Sequence, residues 1–188
     1  NMLLIFALLL NSVYGSNITV FGQKGSFDCI LIYLNHSFPC SLGQNGLTEN
    51  KQEGDGCSPI GEFQLRKAFY RADRISKPNT VLEVDQILPN YGWCDDVASC
   101  NYNEFVTLPF KPSHEKLWFD APYYDLMAVI GYNDNPVLNG DGSAIFFHVT
   151  ENYGGTSGCV AMNINDLQWV LARIDIDSFF IIEENDGK

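Results

Sequence analysis

The chain has 188 residues, 46% hydrophobic and 13% aromatic, with 23 acidic residues against 11 Lys and Arg and a formal charge of −12. That length suffices for one domain that buries a sizeable core without help from metals or disulfides. The acidity argues against nucleic acid as a partner and against nonspecific adhesion to anionic surfaces, both of which rest on clustered Lys and Arg.

From the N-terminus, residues 2–10 ("MLLIFALLL") form an apolar run of signal-peptide length, too short to span a bilayer comfortably. "NSVYGSN" follows, and Val13 and Gly15 suit small-residue cleavage after Gly15, the alternatives for the run being a buried N-terminal strand or a retained anchor. The expected organisation is a signal peptide over 1–15 and a single domain over 16–188. The mature domain is expected to be exported, periplasmic or extracellular, without a membrane anchor after cleavage.

Most of the mature domain reads as strands. "NITVFG" (17–22), "FDCILIYLN" (27–35) and "TVLEVDQIL" (80–88) are short apolar or alternating runs bounded by Gly, Asn and Pro. The stretch 89–120 carries aromatics and prolines without a clean period and reads as an extended insertion; Cys94 and Cys100 are expected to form a short disulfide loop, the alternative being a Cys94 that lies near a catalytic site. "YYDLMAVIGY" (123–132) and "SAIFFHVT" (143–150) are the clearest strands, separated by the loop "NDNPVLNGDG". One helix is signposted near the end. Asn163 can cap it, Asp166 lies near its positive end, and Leu167, Val170, Leu171 and Ile174 follow helical spacing. A closing strand, "SFFII", precedes a polar tail. The fold class expected is mainly β with a few helices.

Six cysteines are present: Cys29, Cys40, Cys57, Cys94, Cys100 and Cys159. Even parity in an exported chain normally means three disulfides, and a reactive Cys159 would leave at most two. The local sequence around Cys159, "HVTENYGGTSGCVAM" (148–162), permits another role. Strand alternation puts Ile145, Phe147 and Val149 on one face and Phe146, His148 and Thr150 on the other, which presents the imidazole away from the main apolar set. Gly154 and Gly155 would turn the chain back, and Gly158 would let a substrate carbonyl approach the backbone N–H groups of Gly158 and Cys159 as an oxyanion site. The following helix and the imidazole would both lower the thiol pKa. A Cys–His dyad is therefore permitted. A structural strand histidine with a disulfide-bonded or buried Cys159 fits the same residues.

The stretch resembles the catalytic signature of the L,D-transpeptidase (YkuD-type) family: a histidine, a short loop, then Ser/Thr-x-Gly-Cys and an aliphatic residue. Thr156, Ser157, Gly158, Cys159 and Val160 fill those places. Upstream, "GDGCSPIGEF" resembles the family's Thr-Pro-x-Gly-x-Phe turn, with Ser58, Pro59, Gly61 and Phe63 in register. The likeness runs from about Cys40 to Ile182. Two positions depart from it: Ser157 stands where histidine is frequent, and Ala161 where Arg or Asn is common.

The resemblance implies a β-sandwich or barrel-like catalytic domain. It also implies a reaction in which Cys159 attacks a peptidoglycan tetrapeptide stem and releases the terminal D-Ala, leaving a thioester. An amine of a second stem then forms a 3→3 cross-link, or water hydrolyses the thioester. His148 would carry the proton, and Thr156 and Ser157 are candidate substrate contacts; His114, in "KPSHEKLW" and outside both motifs, reads as a surface-loop histidine or as a further substrate contact. No metal or organic cofactor is required. A secreted disulfide-stapled binding module without catalysis is the alternative from another class.

Overall fold

The computed structural model describes residues 17–185, so the apolar run and cleavage site expected over 1–15 lie outside the described residues. Period-two alternation builds the first hairpin. In β1 (Ile18–Gln23) and β2 (Ser26–Tyr33), Ile18, Val20, Leu31 and Tyr33 face inward and are fully buried, while Ile30 and Ile32 face out. In β3 (His36–Ser41), Cys40 lies directly opposite Cys29, and the two form a disulfide.

Two short strands, β4 (Leu47–Thr48) and β5 (Ser58–Pro59), pair with each other. The long β6 (Gly61–Tyr70) follows, then β7 (Glu83–Gln86), β8 (Tyr91–Cys94), β9 (Phe105–Thr107) and β10 (His114–Lys116). The chain ends with β11 (Leu126–Ile130), β12 (Phe146–Val149), β13 (Val160–Met162), helix α1 (Ile164–Leu171) and β14 (Phe179–Glu184). The main sheet has the order β11-β12-β13-β3-β2-β1-β14-β6-β7, and β6 closes it. Its first residues pair with β14 and its later ones with β11, so the sheet curls into a barrel. This is a mainly β domain with few helices, as the sequence implied.

Inside the barrel, Val20, Leu31, Phe147, Val160 and Phe180 pack with Leu167, Val170 and Leu171 of α1. A second cluster lies on the other face of β11 and β12, where Phe69, Met127, Leu117, Tyr124 and Phe146 surround Cys159. Both faces of β12 are therefore buried, and the site sits in the smaller core.

Several elements differ from expectation. "TVLEVDQIL" contributes only the four residues of β7, and "YYDLMAVIGY" enters its strand through a 3₁₀ turn at Pro122–Tyr124. The insertion 89–120 is a three-stranded antiparallel sheet in the order β10-β8-β9. Cys94 and Cys100 are unbridged, the first buried and the second exposed. Cys94 exchanges backbone hydrogen bonds with Asn103 and Glu104 and faces His114, while Cys100 sits exposed in the intervening turn.

Instead of three disulfides there is one, and Cys57, Cys94, Cys100 and Cys159 keep free thiols. Thiol titration of denatured, unreduced protein should thus count four per chain; a count of zero would contradict this arrangement. Replacing Cys29 and Cys40 with Ser should lower unfolding free energy in urea by about 2–3 kcal/mol, the loop-closure effect for so short a ring.

Candidate active site

Cys159 immediately precedes β13, and β13 runs parallel to β12 with His148 opposite Ala161. This parallel pairing brings the two residues, eleven positions apart, into one cleft of about 690 Å³. Both are buried, at 6% and 7% exposure. The sulfur accepts from the Phe146 N–H at 3.3 Å, and the thiol donates to the Ala144 carbonyl at 3.3 Å rather than to His148.

Ala144 adopts φ +52, a left-handed conformation unusual for a residue with a side chain. Asn103 holds it there. Its Oδ1 accepts from the Ala144 N–H at 3.0 Å and from Trp93 Nε1 at 2.9 Å, while Nδ2 donates to the Tyr132 and Asn133 carbonyls. The insertion thus sets the carbonyl that holds the thiol. Nothing in the local sequence at Asn103 signalled this role.

The loop entering Cys159 is tied to the upstream motif. Thr156 Oγ1 donates to the Cys159 carbonyl at 2.7 Å and accepts from the Gly158 N–H at 3.1 Å. Ser58, fully buried, donates to the Gly158 carbonyl at 2.7 Å and accepts from the Gly43 N–H at 2.9 Å. The "SPIGEF" segment is thus a buttress for the cysteine loop. Ser58→Ala should lower stability by about 1–3 kcal/mol by orphaning these buried groups, a loss measurable by chemical denaturation.

Gly158 has φ +143, and a Cβ there would lie 2.8 Å from the Cys57 carbonyl oxygen. The turn-back expected at Gly154 and Gly155 is made by Tyr153 instead, at φ +53. Gly155 is needed for close approach, since a Cβ would lie 2.7 Å from the Gln44 Cα.

His148 Nδ1 lies 2.8 Å from the Val149 carbonyl, which can only accept, so Nδ1 carries the proton and Nε2 keeps its lone pair. The Tyr124 ring stands edge-on to the imidazole with centroids 5.3 Å apart. Burial pushes the imidazole down to about 4, although the Val149 and Tyr123 carbonyls favour its charged form.

The thiol is also shifted, opposite to expectation. Burial and then the negative charge of Glu115 push Cys159 up to about 12, opposed by the Phe146 N–H and Lys51. The helix does not rescue a thiolate. α1 begins beyond β13, roughly 10 Å along the strand, and its Asn163 cap already accepts from the Asn165 and Asp166 N–H groups. The resting pair is a neutral thiol beside a neutral imidazole.

Thr156 and Ser157 both line the cleft, but the Thr156 hydroxyl is occupied within the loop. His114 does not line it: its Nδ1 lies 2.8 Å from the Pro112 carbonyl and its ring packs against Phe110. Its neighbour Glu115 does, as strand alternation requires. Glu115, Glu53 and Asp95 give the cleft an acidic character that no local motif announced.

One wall, residues 117–125, is held by two arginines. Arg71 donates to the Phe119 carbonyl at 2.6 Å and pairs with Asp73, and Arg74 reaches the Asp120 carbonyl and Asp125. No group of three or more His, Cys, Asp or Glu among the described residues is arranged to hold a metal ion.

Comparison with curated proteins gave no match. Residues 31–182 match the family described as the L,D-transpeptidase catalytic domain, of YkuD type. The match spans both tethered motifs, the closing strands of the barrel and the helix after the cysteine, and so the chain belongs to the L,D-transpeptidase catalytic domain family.

Proposed function

We propose that this protein is a cysteine acyltransferase acting on peptidoglycan stem peptides, with Cys159 as nucleophile and His148 as proton carrier. The observation that carries this reading is their shared cleft, in a region that matches a catalytic-domain family. The thiol proton passes to Nε2 of His148 as sulfur attacks the carbonyl before the terminal D-Ala. The imidazolium then protonates the departing amine, D-Ala leaves, and a thioester remains on Cys159. The amine of a second stem resolves it to a 3→3 cross-link.

Because the resting groups are both neutral, proton transfer accompanies attack and is not completed beforehand. A neutral imidazole is the competent form of the base, and its low pKa keeps it so throughout the physiological range. For the oxyanion we assign the Cys159 N–H, because the Gly158 N–H already donates to Thr156.

Incubation with tetrapeptide-stem muropeptides tests the reading by mass. D-Ala loss with dimer formation is the expected result. Tripeptide monomer alone would make the protein a carboxypeptidase on the same dyad, and absence of D-Ala loss would overturn the proposal.

A further inference from the structure

The cleft carries more negative charge than thioester formation requires. Glu53, Asp95 and Glu115 line it, with Lys51 as the only cation among its described lining residues. Lys51 Nζ is already engaged by Asp55 at 2.6 Å and the Gln52 carbonyl at 2.7 Å. Glu53 Oε2 is similarly engaged, accepting from the Tyr102 and Ser143 hydroxyls.

Asp95 and Glu115 differ from these. Asp95 Oδ1 is shut away from solvent and has no hydrogen-bond partner among the described residues. That oxygen faces protein, while the residue as a whole is half-buried and lines the cleft, so its charge acts there. Glu115 accepts one hydrogen bond, from the Tyr124 hydroxyl, and the Tyr124 ring in turn packs against His148. The two carboxylates come from neighbouring strands: Glu115 pairs with Trp93, and Asp95 follows Cys94 at the end of the same strand. Glu115 is also close enough for its charge to act on the Cys159 thiol.

Resting on the acyl-transfer reading, we propose that Asp95 and Glu115 form the acceptor subsite and select a nucleophile that arrives as a primary ammonium. The Asp95 carboxylate attracts the ammonium by charge, and the Glu115 carboxylate removes one proton to leave a neutral amine. The amine nitrogen attacks the thioester carbonyl. As the C–N bond forms, the nitrogen gives a second proton to His148 Nε2. The C–S bond then breaks, and the departing Cys159 thiolate recovers that proton from the imidazolium. Glu115 returns its own proton to solvent.

The groups facing Glu115 suit this task. Burial, with Asp95 and Glu53 adding to it, raises its carboxyl to about 7 against the opposing hydrogen bond from Tyr124, so it accepts protons near neutrality. Water needs no such subsite, so these carboxylates favour transfer over hydrolysis.

The test is the partition of the acyl-enzyme. The chain is given a tetrapeptide donor with either a diamino-acid acceptor stem or hydroxylamine, which is largely uncharged at neutral pH. Asp95→Asn and Glu115→Gln are each expected to lower the dimer-to-tripeptide ratio by about tenfold or more. The hydroxamate-to-tripeptide ratio should move by less than about twofold, since that nucleophile needs neither an anion nor a base for its proton. Equal loss with both nucleophiles, or an unchanged dimer ratio, overturns the subsite. So does a raised donor KM with unchanged partition, which would assign the carboxylates to the donor. Failure of the unsubstituted chain to release D-Ala would overturn the acyl-transfer reading itself, and the subsite with it.

Discussion

Cys159→Ala is expected to lower D-Ala release from tetrapeptide stems by at least about 10³-fold, because it removes the thiol that forms the covalent intermediate. Intact mass under turnover should show an acyl adduct on the unsubstituted chain and none on the variant. The fold should survive. The side chain contributes a sulfur that accepts from Phe146 and donates to Ala144, both weak hydrogen bonds, and alanine fits the same buried space. The resting thiol should also be sluggish toward iodoacetamide at neutral pH, since burial and Glu115 hold it near 12. Persistent D-Ala release in Cys159→Ala would remove Cys159 from the mechanism, whatever the family match.

His148→Gln should reduce the same activity by about 10²–10⁴-fold, the usual range for a positioned general base. The pH response gives a sharper check. With the imidazole pushed down to about 4, the acid limb of acylation should fall well below the ordinary histidine range.

The same shift has a consequence for stability. The folded value lies below the unfolded 6.5, so between these values the unfolded chain binds the extra proton and folding weakens as pH falls from 6.5 toward 4. The full effect of this one group is about 3 kcal/mol. Glu115 acts in the opposite direction. Its folded value of about 7 lies above the unfolded 4.5, so its contribution is complete below 4.5 and is lost as pH rises toward 7. The two overlap and oppose each other in the unsubstituted chain. Glu115→Gln should therefore expose a loss of stability on acidification, and His148→Gln a loss on alkalinisation, both read from urea midpoints between pH 4 and 7.

Much of this architecture was already legible in the residues. Alternation in "SAIFFHVT" correctly separated Phe147 and Val149, in the barrel core, from Phe146 and His148 on the other face. Asn163 does cap α1, and Leu167, Val170 and Leu171 are its buried side. Cysteine parity failed because it counts residues without regard to where they lie: Cys94 is fully buried, whereas Cys100 is exposed in the turn that follows. The expected thiolate failed for a related reason. Proximity to a helix in sequence placed a positive end near the thiol, whereas β13 carries the chain away before the helix begins.

By itself, the sequence determined the strand faces, the helix and its cap, and the two short motifs that mark the family. Each depends on neighbouring residues and on periods of two or 3.6, which survive in a linear string. Only the tertiary structure decided what those motifs touch. Ser58 reaches Gly158 across 100 positions, and Asn103 holds Ala144 across 41. The same closure of the barrel against the insertion sets Asp95 and Glu115 in the cleft with Cys159 and leaves His114 outside it. Charge and burial around a thiol are sums over groups from many elements, so its protonation state could follow only from the assembled fold.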